Sequence, residues 1–223
     1  MWLTRVRALA RRAPFRIVRP QPPVHRYYYN FDPTQLCFLC ACVEETRDVP
    51  GHIAEVGCAQ GKTAVFLNLY MDQQKIEKPY FAVDTFGGFV AEDVAYEIEH
   101  RGKQPGLIHG FENNRKEWFD GSMQANGIRR VQSIQADVNQ LDLTTLGPLA
   151  FCILDVDLYR PMSKALRELY EVLSPGGLLV VDDCNPQNIR WDGADQAYRE
   201  FTASRGLPYQ VVHRKLGILR KPR

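Results

Sequence analysis

The sequence has no apolar run near the roughly 20 residues that a membrane-spanning helix requires. It has no internal repeat and no low-complexity block, which excludes solenoid and collagen-like architectures. Its six cysteines, Cys37, Cys40, Cys42, Cys58, Cys152 and Cys184, are spread among apolar stretches. No two of them form a second pair at zinc-ribbon spacing with Cys37 and Cys40, so they read as buried, inert thiols of a reducing compartment. Acid is missing from one place above all. Residues 1–31 hold seven arginines and no Asp or Glu.

The formal net charge of +2 over 223 residues hides that division. Beyond residue 31 the chain carries 21 basic against 26 acidic residues. An acidic body of this kind is a poor electrostatic partner for phosphate backbones, so nucleic acid is not expected as a partner. The arginine-rich leader lacks the continuous apolar core of a secretory signal. Trp2, Leu3, Val6, Leu9 and Ala10 recur at helical spacing with arginines between them, and Pro14 ends the pattern. Three readings stay open: an amphipathic helix making peripheral membrane contact through residues 1–23, an organelle transit peptide, and a solvated terminus or lid. Cytoplasmic residence, with or without membrane association, is expected. Residues 1–33 read as an appendage and 34–223 as one domain.

After the leader, strand and helix patterns alternate. Helices are expected over 34–47, 62–71, 112–125, 162–173 and 194–204. Strands are expected over 52–56, 80–83, 131–135, 149–154 and 178–181. Residues 209–212 and 217–219 suit a closing hairpin, and 87–110 read as a Gly-rich, charged insertion with one short helix. Near-continuous apolar strands imply an α/β fold with a mostly parallel sheet covered on both faces.

Nearly every strand leads into an acid. Asp84, Asp137, Asp155 and Asp182 follow four of the strands directly or within two residues. Ligands of open α/β sheets bind outside the carboxyl ends of the strands, so these acids converge on one cleft. Helix capping accounts for one or two such aspartates, and poorly for four with a doubled Asp182-Asp183. The first loop, Glu55-Val56-Gly57-Cys58-Ala59-Gln60-Gly61, follows a strand and opens a helix. It lacks the middle glycine of the dinucleotide fingerprint and has no Gly-Lys-Ser/Thr at P-loop spacing, which disfavours a pyrophosphate ligand and an NAD-dependent oxidoreductase. Glu55 favours a cationic ligand. Asp84, with Thr85 after it, is placed to accept both hydroxyls of a ribose. Together they point to S-adenosylmethionine.

Asp155-Val156-Asp157 closes one strand and Asp182-Asp183 closes the next, one strand–helix–strand unit away. Carboxylates brought that close repel unless a cation intervenes, and hard oxygen donors favour Mg²⁺ or Ca²⁺. Asp157 is placed either to take a proton as general base or to cap the following helix.

The ordered set Glu55-x-Gly-x-x-x-Gly61, Val83-Asp84-Thr85-Phe86-Gly87-Gly88-Phe89, Leu154-Asp155-Val156-Asp157-Leu158-Tyr159 and Pro175-Gly-Gly-x-x-x-x-Asp182-Asp183 resembles the macrocin O-methyltransferase (TylF-like) family. Trp191-x-Gly193-Ala194-x-x-Ala197-x-x-x-Phe201 fits the same family's helix after the double Asp. The resemblance implies a Rossmann-like methyltransferase with strand order 3-2-1-4-5-7-6, S-adenosylmethionine and Mg²⁺ as cofactors, a sugar hydroxyl as acceptor, and homo-oligomers. By position it implies that Asp155, Asp182 and Asp183 bind the metal and that Asp157 is the base. Glu55, Gly57, Cys58, Gln60 and Gly61 would line the methionine end, with Asp155 beside them. Asp84 and Thr85 would hold the ribose, and Asp137 and Val138 would face the adenine. An aromatic diol or a lipid-linked glycan as acceptor, a cephalosporin hydroxylase-like relative, and a non-catalytic partner subunit of the same fold are the alternatives.

Overall fold

The structure, a computed structural model, describes residues 27–223. The arginine-rich leader and its three readings lie outside the described residues. Among the described residues, no helix is long and apolar enough to cross a membrane.

The chain alternates as expected. Helix α1 (Pro33–Glu45) opens on Asp32, whose carboxylate accepts from Gln35 N at 2.9 Å while Gln35 Oε1 accepts from Asp32 N at 2.8 Å. This reciprocal cap, with Pro33 in the first turn, fixes the start of the helix. Then follow β1 (His52–Val56), α2 (Lys62–Gln74), β2 (Tyr80–Asp84), α3 (Ala91–Glu99), α4 (Lys116–Ala125) and β3 (Val131–Gln135). A 3₁₀ turn at Leu143–Leu146 leads to β4 (Leu149–Leu154), α5 (Tyr159–Val172), β5 (Leu173–Val181), α6 (Asp192–Arg205), β6 (Val211–Val212) and β7 (Leu216–Arg220).

The seven strands form one sheet in the order β3-β2-β1-β4-β5-β7-β6. The first five are parallel, while β7 runs antiparallel to both β5 and β6. The central strands are buried on both faces. Ile53, Phe151, Ile153, Leu178 and Val180 pack on the α1, α2 and α4 side. Ala54, Val56, Cys152, Leu154, Leu179 and Val181 pack on the α5 and α6 side. That two-fold alternation is what a strand's pleat produces when both faces are covered.

Several boundaries differ from the sequence expectation, and three of the differences bear on the site. The fourth helix starts at Lys116 rather than at residue 112, because Asn114 Oδ1 accepts from Arg115 N at 2.9 Å and holds 111–114 as a loop. The helix expected from Met162 starts at Tyr159, whose N–H donates to Glu97 Oε1 at 2.8 Å. Ser174-Pro175-Gly176-Gly177 was expected to separate helix from strand; it lies instead within β5, as a register shift between Leu149↔Leu173 and Phe151↔Leu178.

All six cysteines are free, and Cys42, Cys58, Cys152 and Cys184 are buried. Burial pushes the Cys40 thiol up to about 11 and the Cys42 thiol to about 12. These thiols stay protonated and unreactive at neutral pH.

Candidate active site

A cavity of about 420 Å³ opens at the carboxyl ends of the parallel strands. Its walls come from the loops after β1, β2, β3 and β4 and from residues 111–114. Of the residues singled out in the sequence, Glu55, Gly57, Cys58, Gln60, Asp84, Thr85, Asp137, Val138, Asp155 and Asp157 line it.

Glu55 is 3% exposed, and its carboxylate accepts from the Tyr80 hydroxyl at 2.7 Å. Burial pushes its pKa up to about 8, against the Tyr80 hydrogen bond, which lowers it. A buried carboxylate in that state gains most from a cation in the cavity. Gly57 has φ +91, and a Cβ there would stand 1.7 Å from the Asp155 carbonyl oxygen. The loop therefore crosses the end of β4 with no room for a side chain.

Gly61 does not line the cavity. Its φ is +81, and a Cβ would meet the Phe119 ring at 2.7 Å, so this glycine lets α4 pack on the start of α2. Asp84 ties two loops together. Its Oδ2 accepts from Ala59 N at 2.8 Å and its Oδ1 from Phe86 N at 2.7 Å. Each oxygen keeps a second lone pair. Asp137 Oδ1 accepts from Asn139 N at 2.8 Å, and Val138 is buried beside it.

Asp155 and Asp157, which line the cavity, and Asp183, which does not, bring one carboxylate oxygen each to within 4.8 Å of one another. Asp157 has φ 58 and Asp183 φ 56. That left-handed backbone is tolerated by Asp better than by most residues, and here it sets the direction of both side chains. Burial, and then the neighbouring acids, hold the Asp155 and Asp157 carboxyls well above the usual range.

Asp182 is placed differently. Like Asp183 it is buried and does not line the cavity, but it lies outside the converging trio. Lys215 Nζ, from the hairpin between β6 and β7, donates to Asp182 Oδ2 at 2.7 Å and reaches Asp183 Oδ1 at 3.5 Å. Burial opposes the lysine's charge, but the acids prevail and raise its pKa. Burial still lifts Asp182 to about 6.

The donor set fits a divalent cation. Three carboxylates at this separation carry strong mutual repulsion, and hard oxygens are the ligands that Mg²⁺ and Ca²⁺ take. One lysine reaches only part of that charge.

Sequence reasoning missed several groups. Lys215 lies 33 residues beyond Asp182, in a hairpin with no motif of its own. Asp93 and Glu97, one turn apart on α3, are buried at 3% and 1% exposure. Their i, i+4 spacing was the only signal, and the charged segment around them masked it. Phe89 and Phe111 line the cavity, and Trp191 joins Phe89, with ring centroids 5.4–5.6 Å apart. His109 is exposed, and its carbonyl accepts from Arg190.

The sequence profile of the macrocin O-methyltransferase (TylF) family matches residues 34–214. The chain belongs to that family. It is an S-adenosylmethionine-dependent O-methyltransferase. Solved structures of the fold agree with the sheet described above. The O-methyltransferase NovP superposes with a TM-score of 0.68 at 19% identity, over 85% of this chain and 80% of its own. The calicheamicin methyltransferase CalS11 superposes at 0.64 and 17% identity, over 84% of this chain and 78% of its own. TomG from Streptomyces achromogenes, solved with S-adenosylmethionine, gives 0.53 at 13% identity, over 86% and 81%. No curated protein matches the chain by sequence.

Proposed function

We propose that this O-methyltransferase methylates a hydroxyl of a sugar or glycosylated small molecule, with Mg²⁺ held at the acid cluster. The observation that carries the reading is the convergence of Asp155, Asp157 and Asp183, the first two lining a cavity whose wall also presents Glu55 and Asp84. The likeness to CalS11, which is named as a TDP-rhamnose 3'-O-methyltransferase, supports a sugar hydroxyl.

The cofactor, when bound, supplies an electrophilic methyl group on a sulfonium. Glu55, with Gly57, Cys58 and Gln60, receives its cationic amino-acid end. Asp84 and Thr85 hold the ribose, and Asp137 and Val138 meet the adenine. Mg²⁺, when bound, neutralises the clustered acids and raises the acidity of an acceptor hydroxyl. Asp155 and Asp183 hold it, and Asp157 stands beside them to accept the hydroxyl proton. The Asp182–Lys215 pair lies beneath and keeps the floor from carrying four unpaired charges.

The aromatic wall favours a second reading of the acceptor. Phe89 and Phe111 line the cavity with aromatic rings, which suit an apolar or aromatic group, so an aromatic diol competes with the sugar. Methylation assays over simple glycosides, aryl glycosides and catechols, each with and without EDTA, decide between them. Transfer to catechols alone overturns the sugar reading. Turnover unaffected by EDTA overturns the metal.

A further inference from the structure

Asp93 lies in the first turn of α3, is 3% exposed and lines the cavity. Its Oδ2 accepts from Asn139 Nδ2 at 2.7 Å. Its Oδ1 is shielded from solvent and accepts no hydrogen bond. Arg160 Nε stands 3.5 Å from Oδ1, and that guanidinium also donates to Glu92 O and lies over the Tyr96 ring. A buried carboxylate oxygen with no donor is costly, and native structures rarely keep one without a reason.

The chain around Asp93 says what the missing donor belongs to. Val90 caps the same helix. Val138 precedes Asn139, and Leu158 and Pro161 flank the Tyr159-Arg160 pair. All four apolar residues line the cavity. This end of the cavity therefore sets apolar side chains around two carboxylates, Asp93 and Asp137, a lining that suits a heteroaromatic ring bearing an amino group. Val138 has no polar side-chain atom, Asp137 Oδ1 is engaged by the Asn139 backbone, and of the two acids only Asp93 has a buried oxygen with no hydrogen bond.

We propose that Asp93 Oδ1 accepts a hydrogen bond from the exocyclic amine of the cofactor's adenine. The inference rests on the S-adenosylmethionine reading of the cavity and adds a base-reading residue to it. It makes α3 part of the cofactor site rather than an insertion beside it.

The test is calorimetric titration of the full chain with S-adenosylhomocysteine and with S-inosylhomocysteine, in which a carbonyl replaces the amine. Wild type is expected to bind the inosyl compound about tenfold or more weakly, since acceptor then faces acceptor. In Asp93→Asn, the amide oxygen keeps the Asn139 bond and the new Nδ2 faces the slot, so the preference is expected to reverse. Asp93→Ala should weaken S-adenosylhomocysteine and level the two ligands. Equal affinities in wild type, or an unchanged preference in Asp93→Asn, overturn the role of Asp93 while leaving the cofactor reading intact. Binding of neither compound by folded wild type overturns both. If Asp93→Asn does not fold, Asp93→Ala decides: a preference for the adenosyl compound equal to that of wild type overturns the role of Asp93.

Discussion

Lys215 Nζ lies 2.7 Å from Asp182 Oδ2, so the doubled aspartate after β5 is divided between two tasks. Asp182 is neutralised by a lysine of the same chain, and Asp183 turns to Asp155 and Asp157. Lys215→Met should therefore leave a buried charge uncompensated and cost about 3 kcal/mol of stability in EDTA. Urea unfolding checks this, and millimolar Mg²⁺ should restore part of the loss. An unchanged midpoint in EDTA would show that the pair contributes nothing.

The same division ranks the two acids as metal ligands. Asp183→Asn should weaken Mg²⁺ or Mn²⁺ binding by about tenfold or more, and Asp182→Asn by less. Calorimetry with the metal alone reads both. The opposite ranking would mean that Asp182 leaves Lys215 when the cation binds.

Glu55 sets a pH dependence in the ligand-free protein. Its pKa is raised by burial to about 8, whereas the unfolded value is near 4.5. Between those values the folded state holds the extra proton, so stability falls as pH rises through the window. The melting temperature of the apo protein should drop from pH 5 towards pH 8, in about the range those two values define. Glu55→Gln keeps an acceptor for Tyr80 and cannot titrate, so its curve should be flatter. Parallel curves for the two proteins would remove Glu55 as the cause.

Asp157→Asn tests the proton acceptor. Asn also tolerates the left-handed backbone at this position, so the turn should persist. Turnover is expected to fall by about 10² to 10⁴, with S-adenosylhomocysteine affinity unchanged. Single-turnover rates beside calorimetry separate the two. A normal rate would return Asp157 to a purely local role.

Strand ends were readable because apolar runs and the acids beyond them follow directly from chain order. Asp84, Asp137, Asp155 and Asp157 came out on one cavity for that reason. Gly61 was readable as a required glycine but not for its cause, because its constraint is the Phe119 ring, 58 residues later in the sequence. Asp182 looked equivalent to Asp183. Only the left-handed turn at Asp183 and the approach of Lys215 separate them, and both are tertiary. Segment 87–110 was the least legible. Its acids are buried by partners on other elements: Glu97 accepts from Tyr159 N and pairs with Arg101 at 3.1 Å, and Arg101 reaches Asp192 at 2.6 Å. Charge in a loop-like sequence looks solvated until the partners are known.

The last strand occupies an interior position in the sheet, between β5 and β6. Around it, Gln35 Nε2 donates to His213 O at 3.0 Å, and Arg220 pairs with Glu45. Contacts this distant in sequence form late and slowly. During synthesis, therefore, the strands carrying Glu55, Asp84 and Asp155 emerge well before the lysine that neutralises Asp182. Asp182 and Asp183 stay without their lysine until the chain has passed residue 215, so a chain ending at residue 214 should keep its five parallel strands while leaving both acids without that partner.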